Sequence, residues 1–131
     1  MKIVIDTNVF VSAVFFGGKP LDVIRTVISK ENEAYVSPEI WDEYADVIER
    51  LGRKYPKNKR TDLLQQMLKI FKIVSPSHSV DICRDKDDNK FISCALESKC
   101  MFIVSGDDDL LSLKQVEDVR IVTAAEFLLI R

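Results

Sequence analysis

Short apolar runs alternate with longer amphipathic segments along the chain, and this alternation predicts an α/β fold. The runs are rich in β-branched residues and are typical of parallel strands buried on both faces. Strands are predicted at residues 3–5, 34–36, 73–74, 101–105 and 120–122. Helices are predicted from residue 7 or 8 to about 13, and at 20–30, 38–51, 61–72, 85–98, 109–113 and 124–130. We therefore expect a central, mostly parallel sheet of four to five short strands, covered by helices on both faces.

Local signals set several of these boundaries. Thr7 and Asn8 can cap the first helix, and the pair Gly17-Gly18 breaks the chain before the second. Ser37-Pro38 combines an N-cap with a proline at the first helical position. The sequence contains no repeat and no low-complexity linker, so residues 1–131 are expected to form one domain.

The amino-acid composition indicates which broad class of protein this sequence encodes. The 131 residues are 47% hydrophobic and 31% charged, as in a globular domain, and the longest apolar runs are too short to span a bilayer. Three cysteines without a CxxC motif (Cys83, Cys94 and Cys100) predict reduced thiols. A strand directly after Lys2 leaves no room for a signal peptide. We therefore expect a cytoplasmic protein with no membrane partner.

The single histidine, His78, excludes several kinds of catalytic site. Histidine-rich zinc sites, HExxH metalloproteases and paired-histidine acid/base schemes all need more imidazoles. A serine–histidine–aspartate set would have to use His78, but it lies in a polar segment and no GxSxG motif accompanies it. We interpret His78 as a solvated loop residue.

The positions of the acidic residues are more informative than their number. Asp6 directly follows the first predicted strand, and Asp107 follows the strand at 101–105 across one glycine. In open parallel sheets, sites form beyond the carboxyl ends of the strands, so the two carboxylates share one rim if those strands are neighbours. Helix capping is the alternative role for Asp6.

Helical phase selects Glu43 from the acids of the third predicted helix. Its apolar face consists of Ile40, Tyr44, Val47, Ile48 and Leu51. Glu43 borders that face, whereas Asp42, Asp46 and Glu49 lie on the opposite side. An acid at this border is expected to point at a positive charge or to extend along the helix toward water.

The same argument separates the acids that open the helix at residue 85. Asp88 projects along the inner face, and Asp85 and Asp87 are interpreted as capping and helix-dipole acids. Farther along, Asp109 either ligates a metal or caps the turn at residues 110–111.

Four inward carboxylates without a histidine need a compensating positive charge, since their mutual repulsion would otherwise raise their pKa values. Mg²⁺ and Mn²⁺ prefer such oxygen ligands, so one or two of these ions are expected per site. The chemistry indicated is metal-assisted phosphodiester hydrolysis with water as the nucleophile.

A basic strip offers a candidate contact for a nucleic-acid substrate. Between residues 50 and 60 there are six basic residues and no acid: Arg50, Arg53, Lys54, Lys57, Lys59 and Arg60. Tyr55 lies among them and can stack on a base. The alternative is a solvated connection between two helices. The formal net charge of -2, from 19 basic and 21 acidic residues, does not exclude RNA, because bound cations reverse the local charge of the inward acids.

Four segments together resemble the PIN domain family of metal-dependent nucleases, which includes toxins of the VapC type. They are the Asp-Thr-Asn segment at 6–13, the helix start at 37–44, the Asp-Lys-Asp-Asp segment at 85–91 and the Ser-Gly-Asp-Asp-Asp segment at 105–111. They occur in the family's order and at similar spacing. Two departures are a lysine at position 86, where the family usually has proline, and an acid, Asp108, where it usually has a basic residue. Asp108 adds negative charge near the rim.

The resemblance implies a three-layer α/β/α fold and endonucleolytic cleavage of single-stranded RNA. It maps the family's acids onto Asp6, Glu43, Asp88 and Asp107 as Mg²⁺ or Mn²⁺ ligands, with Asp109 as an additional candidate. Asn8 and Ser105 would orient ligands or waters. It also implies homodimers and a co-encoded antitoxin whose tail occupies the site.

Two other classes of function fit the sequence less well: aspartate-based phosphoryl transfer and binding without catalysis. An aspartate-based phosphatase requires an Asp-x-Asp motif after the first strand, but position 8 is asparagine. A receiver domain would need a paired acid and a later lysine that are not found. The remaining alternative is a catalytically silent PIN-like module that binds RNA or an antitoxin, against which the retention of all four acids argues.

Overall fold

The computed structural model describes residues 1–131 and contains a six-stranded sheet. The strands are β1 (Lys2–Ile5), β2 (Glu33–Val36), β3 (Lys72–Ile73), β4 (Phe102–Val104), β5 (Gln115–Val116) and β6 (Val119–Val122). Their order is β3-β2-β1-β4-β6-β5, and all neighbours are parallel except β5 and β6. The predicted α/β class and mostly parallel sheet are confirmed. The sheet has one strand more than the expected four to five, because β5 is too short to leave a periodic pattern in the sequence.

Seven helices accompany the sheet. They are α1 (Thr7–Phe15), α2 (Gly18–Ile28), α3 (Pro38–Lys54), α4 (Thr61–Ile70), α5 (Asn89–Glu97), α6 (Asp108–Leu111) and α7 (Ala124–Ile130). A 3-10 turn at Lys86–Asp88 precedes α5, so this helix starts later than the predicted residue 85. Among the helices, none has the length and apolar character that crossing a lipid bilayer requires.

The core lies on both faces of the central strands. Ile3, Val4 and Ile5 of β1 are at most 1% exposed, although successive side chains of a strand point to opposite faces. Both faces of the sheet must therefore be covered. Helix α5 packs against β1, β2 and β4, while α1 packs against α2 and α3.

Helix α1 ends at a position that requires glycine. Gly17 has φ 76° and follows the last turn, where the backbone N–H groups of Phe16 and Gly17 both donate to the carbonyl of Ser12. A Cβ at Gly17 would lie 3.0 Å from the guanidinium of Arg60. That guanidinium donates to the carbonyls of Ala13 and Val14 at 3.2 and 3.0 Å, so Arg60 completes the end of the helix.

Helix α1 begins one residue earlier than its predicted caps allow. Asp6 occupies the N-cap position, so Thr7 and Asn8 lie in the first turn and the prediction that they cap the helix is wrong. The side chain of Asp6 makes no capping hydrogen bond. Its carboxylate is therefore available for the other contacts that a strand end allows.

The irregular segment at residues 74–85 is attached to α5 by side chains. The amide oxygen of Asn89 accepts from the backbone N–H groups of Ile82 and Cys83 at 3.1 and 2.9 Å. Ser93 accepts from the backbone N–H of Val80 at 3.1 Å. Asn89 directly follows Asp88. The residue that anchors this segment and a candidate site acid therefore lie in the same turn of helix. His78 lies exposed in this segment, as expected.

All three cysteines are buried and unpaired, as the spacing predicted. Burial raises the pKa of the Cys94 thiol to about 11 and that of Cys100 to about 12. These thiols stay protonated at neutral pH and act as small apolar core residues.

Tyr44 connects α3 to the central strand. It is 1% exposed, its ring stacks on Phe10 with centroids 4.4 Å apart, and its hydroxyl donates to the carbonyl of Ile5. Burial raises the pKa of this hydroxyl well above its ordinary value of 10.0, so it remains a donor. The contact holds α3 directly beside the residue that precedes Asp6.

Replacing Tyr44 with phenylalanine is expected to destabilise the fold by about 1–2 kcal/mol, because it leaves a buried carbonyl without this donor. Urea unfolding measures the change. Tyr35→Phe is the matched control: its hydroxyl donates at 3.1 Å to Glu33 in a partly exposed position, so the cost should stay below about 0.5 kcal/mol. Equal losses in the two variants would contradict the role given to Tyr44.

Candidate metal centre

The carboxyl ends of β1 and β4 bring two acids to one rim. These strands are parallel neighbours, with Ile5 paired to Val104. The backbone N–H of Asp6 donates to the carbonyl of Val104 at 2.9 Å, which continues the pairing by one residue. The Ser105 hydroxyl donates to Asp6 Oδ2 at 2.6 Å and accepts from the backbone N–H of Asp107 at 3.0 Å. Ser105 therefore links Asp6 to the start of the Asp107 turn.

Asp6 is a buried carboxyl, only 4% exposed. Burial raises its pKa, the hydrogen bonds from Ser105 and from the backbone of Thr7 lower it, and the charges of Asp107 and Glu43 raise it again. The net effect is an increase above the ordinary value. The carboxylate is thus held in a place where a positive charge would be favourable.

Asp88 carries the clearest sign of a missing partner. Its Oδ2 is buried and has no hydrogen-bond partner. One oxygen from each of Asp88, Asp107 and Asp109 lies within 4.8 Å of the others. Burial, followed by the proximity of Asp107, raises the pKa of Asp88 to about 7. Three acids thus meet where no side chain supplies a proton or a cation to Asp88.

Asp109 does not cap the turn at residues 110–111. The backbone N–H of Leu110 instead points to the carboxylate of Asp107 at 3.4 Å, so Asp107 occupies the N-cap position of α6. Asp109 accepts from the exposed guanidinium of Arg84, at 3.0 Å from its Nε and also from its Nη2. The predicted alternative that Asp109 caps this turn is therefore wrong, and one of its oxygens is paired with Arg84.

Glu43 points at a positive charge, as its place beside the apolar face of α3 indicated. Lys90 Nζ lies 2.5 Å from Glu43 Oε2, and the Thr7 hydroxyl donates to Glu43 Oε1. Lys90 also contacts Asp87 Oδ1 at 2.9 Å and donates to the Asp87 carbonyl at 2.6 Å. Burial lowers the pKa of Lys90, but the pairs with Glu43 and Asp87 outweigh it and the pKa is raised. Lys90 in turn lowers the pKa of Asp87.

These groups border one cleft of about 450 Å³. Its lining consists of Asp6, Thr7, Asn8, Glu43, Asp46, Val47, Arg50, Asp85, Asp87, Asp88 and Asp107. Asp85 accepts from the backbone N–H of Asp87 at 3.0 Å, in agreement with its predicted capping role. Asp46, predicted to face solvent on the far side of α3, also reaches the cleft wall.

The PIN domain family model matches residues 2–109 of the sequence. The chain belongs to the PIN domain family. Members of this family are typically nucleases. The uncharacterized protein MJ1680 of Methanocaldococcus jannaschii is 37% identical over 118 residues, a match that covers 87% of this PIN domain protein and 76% of the relative.

A solved structure is similar in fold. It is a chain of VapBC2 from Rickettsia felis, in a crystal structure bound to a DNA fragment from its promoter. The two folds superpose with a TM-score of 0.63, covering 92% of this PIN domain protein and 97% of that chain, at 15% sequence identity. The expected PIN-like α/β fold is thereby confirmed.

The donor set of this PIN domain fits a hard divalent cation. The clustered ligand atoms are all carboxylate oxygens, and the unpartnered Asp88 Oδ2 is a strong acceptor without a donor. The pKa of Asp88, raised to about 7, indicates how poorly the cluster tolerates full ionisation without a cation.

The residues of the basic strip make different contacts in the structure. Arg50 lines the cleft, Arg53 pairs with Glu49 at 2.9 Å, and Arg60 is engaged with the end of α1. Lys54, Lys57 and Lys59 are exposed. Tyr55, considered as a base-stacking residue, packs edge-on against Phe16 with ring centroids 5.4 Å apart. Arg50, Arg53 and the three lysines therefore remain exposed, whereas Arg60 is engaged within the fold.

Sequence reasoning missed two basic residues of the site, Lys90 and Arg84. Lys90 left a usable signal in the sequence: it lies one turn before Cys94, in an apolar part of the helix, and three residues after Asp87. A lysine in phase with a core residue indicates a buried ion pair. Arg84 lies in the irregular segment, where no periodicity relates it to Asp109.

Asp88→Asn is expected to change how stability depends on pH. The folded protein holds the Asp88 proton with a pKa of about 7, against an ordinary value of 3.8, so ionisation of Asp88 lowers stability as the pH rises from about 4 to 7. In EDTA, the advantage of the asparagine variant over the natural protein should grow by about 1–2 kcal/mol between pH 4 and pH 8, allowing for partial solvent screening.

Urea unfolding across that pH range measures the difference. Asp42→Asn, an exposed position on α3, is the control and should show no such pH dependence. A flat difference for Asp88→Asn would mean that neither burial nor the proximity of Asp107 raises the pKa of its carboxyl.

Proposed function

We propose that this protein is a Mg²⁺- or Mn²⁺-dependent endoribonuclease that hydrolyses phosphodiester bonds of single-stranded RNA. The observation that carries the proposal is the buried, unpartnered Asp88 Oδ2 beside the carboxylates of Asp107 and Asp109. Membership of a family whose members are typically nucleases gives this acidic cluster its chemical interpretation.

Asp6, Asp88 and Asp107 would hold the ion, and Asp109 would join them when Arg84 leaves its oxygen. A divalent ion bound there would supply positive charge to the phosphodiester and lower the pKa of an attacking water. Ser105 orients Asp6, and Asn8 lines the cleft where it can position a water or a phosphate oxygen. Neither a histidine nor a protein nucleophile is needed.

The chain's own charges would guide RNA to this cleft. Arg50 lies in its wall, and the exposed Lys54, Lys57 and Lys59 follow it along the chain. Such side chains attract the phosphate backbone without reading sequence. Neutralisation of the acids by a bound cation would allow the backbone to approach the Asp88–Asp107 side.

We further propose that the protein is the toxin of a toxin–antitoxin pair, with a cognate antitoxin that covers the acidic cleft, and that it forms homodimers. The support is the likeness in fold to a chain of VapBC2. A cationic antitoxin segment would match the negative charge of the cleft wall.

RNA cleavage should require both the metal and the acids. With a mixed pool of single-stranded RNA and Mn²⁺, the natural protein is expected to produce internal cuts, and EDTA should abolish them. Asp6→Asn should reduce the rate by about a hundredfold or more, because it removes a buried ligand. Gel analysis of end-labelled RNA measures the rate.

Asp42→Asn again serves as the control and should keep the natural rate within about twofold. Equal activity of the natural protein, the EDTA sample and Asp6→Asn would overturn the mechanism. No cleavage under any condition, with RNA or antitoxin still bound, would favour the catalytically silent binding module.

Replacing Lys54, Lys57 and Lys59 together with glutamine should weaken RNA binding at all sequences. Three lost phosphate contacts would reduce the slope of log K against log salt by about 2. Fluorescence anisotropy at several salt concentrations measures the slope, in an Asp6→Asn background that prevents cleavage. Lys30→Gln with Lys99→Gln is the control, since these exposed lysines precede β2 and β4, away from the strand ends that carry the acids. An unchanged slope in the triple variant would show that RNA does not contact these three lysines.

A further inference from the structure

Lys90 is a buried ammonium whose three protons all have acceptors. Its side chain is only 4% exposed. The acceptors are Glu43 Oε2 at 2.5 Å, Asp87 Oδ1 at 2.9 Å and the Asp87 carbonyl at 2.6 Å. The methylene stem runs through the packed inner side of α5, and Nζ lies 5.1 Å from the centroid of the Phe91 ring. The charged group is thus fixed in position.

Glu43 has no oxygen left without a partner. Oε1 accepts from the Thr7 hydroxyl and Oε2 is paired with Lys90. A metal ion that bound Glu43 would compete with the Lys90 ammonium for the same negative charge. Displacement of Lys90 would leave a desolvated ammonium with Asp87 as its one remaining carboxylate partner, which is unfavourable.

The opposite side of the cleft has the reverse arrangement. Asp88 Oδ2 is buried without a donor, and it faces the oxygens of Asp107 and Asp109. The cleft therefore has one side where a lysine ammonium pairs with two acids, Glu43 and Asp87, and one side where Asp88 has no cationic partner.

We propose that the Lys90 ammonium takes the place of a second divalent ion, so that the cleft binds a single ion on its Asp88–Asp107 side. Lys90 is then a positioning residue. It holds Glu43 against Thr7 at the edge of the cleft and supplies there the positive charge that another ion would supply. This inference rests on the proposed metal-dependent function and names how many ions that function uses.

The number of bound Mn²⁺ ions tests the inference without any measurement of activity. Titration of the protein, monitored by the electron paramagnetic resonance signal of free Mn²⁺, should give one ion per chain for the natural protein. Lys90→Met keeps an unbranched apolar stem but removes the ammonium, which frees Glu43 and Asp87, and it should raise the number toward two. Lys90→Arg retains the charge and should restore the value to one.

Two further variants keep the test independent of whether Lys90→Met folds. Glu43→Gln should change the Mn²⁺ dissociation constant by less than about fivefold, because Glu43 is not a ligand of the single ion. Asp88→Asn should weaken binding by about a hundredfold or more. Circular dichroism in EDTA verifies the fold of each variant.

Two ions of similar affinity in the natural protein would overturn the inference, as would loss of the single ion in Glu43→Gln. A folded Lys90→Met variant that still binds one ion would overturn it as well. Failure of RNA cleavage is a separate outcome: one bound Mn²⁺ without nuclease activity would remove the proposed ribonuclease function and leave the role of Lys90 standing.

Discussion

Several carboxylates gathered at the end of a buried parallel sheet are the constraint on which the rest of this structure depends. Asp6 is 4% exposed because it directly continues β1, and its neighbours Asp88 and Asp107 come from different parts of the chain. Desolvation and mutual repulsion oppose such a cluster. Groups on the surrounding elements offset this cost separately for individual acids. The contacts that do so connect α1, α3, α5 and α6 around the site.

Each compensation is local and of a different kind. Asp6 accepts from the Ser105 hydroxyl, Asp107 faces the backbone N–H of Leu110, Asp109 is paired with Arg84, and Glu43 is paired with Lys90. Asp88 is the exception, since its buried Oδ2 has no partner. The cluster is therefore stabilised everywhere except at the point where a cation would complete it. The two sides of the site therefore differ in charge. A bound cation would be favourable on the Asp88 side, whereas a lysine already supplies positive charge on the Glu43 side.

Much of the fold could be predicted from the sequence because its determinants are local. The buried run of β1, the Ser37-Pro38 start of α3 and the helix at Ala124–Ile130 follow from periodicity and end signals. Asp6, Glu43, Asp88 and Asp107, which line one cleft, were found from strand ends and helical phase. Local patterns could not predict β5, which is two residues long, or the pairing of Arg84 with Asp109 across the irregular segment. The engagement of Arg60 by the end of α1 is equally a contact between distant parts of the chain.

The sheet ends on both sides in a strand of two residues, β3 (Lys72–Ile73) and β5 (Gln115–Val116). An open sheet edge presents a row of unpaired N–H and C=O groups on which another chain can add a strand, and the length of that row sets how well it does so. Two residues provide too few hydrogen bonds for a stable added strand. Growth of the sheet between molecules is thus discouraged at both ends.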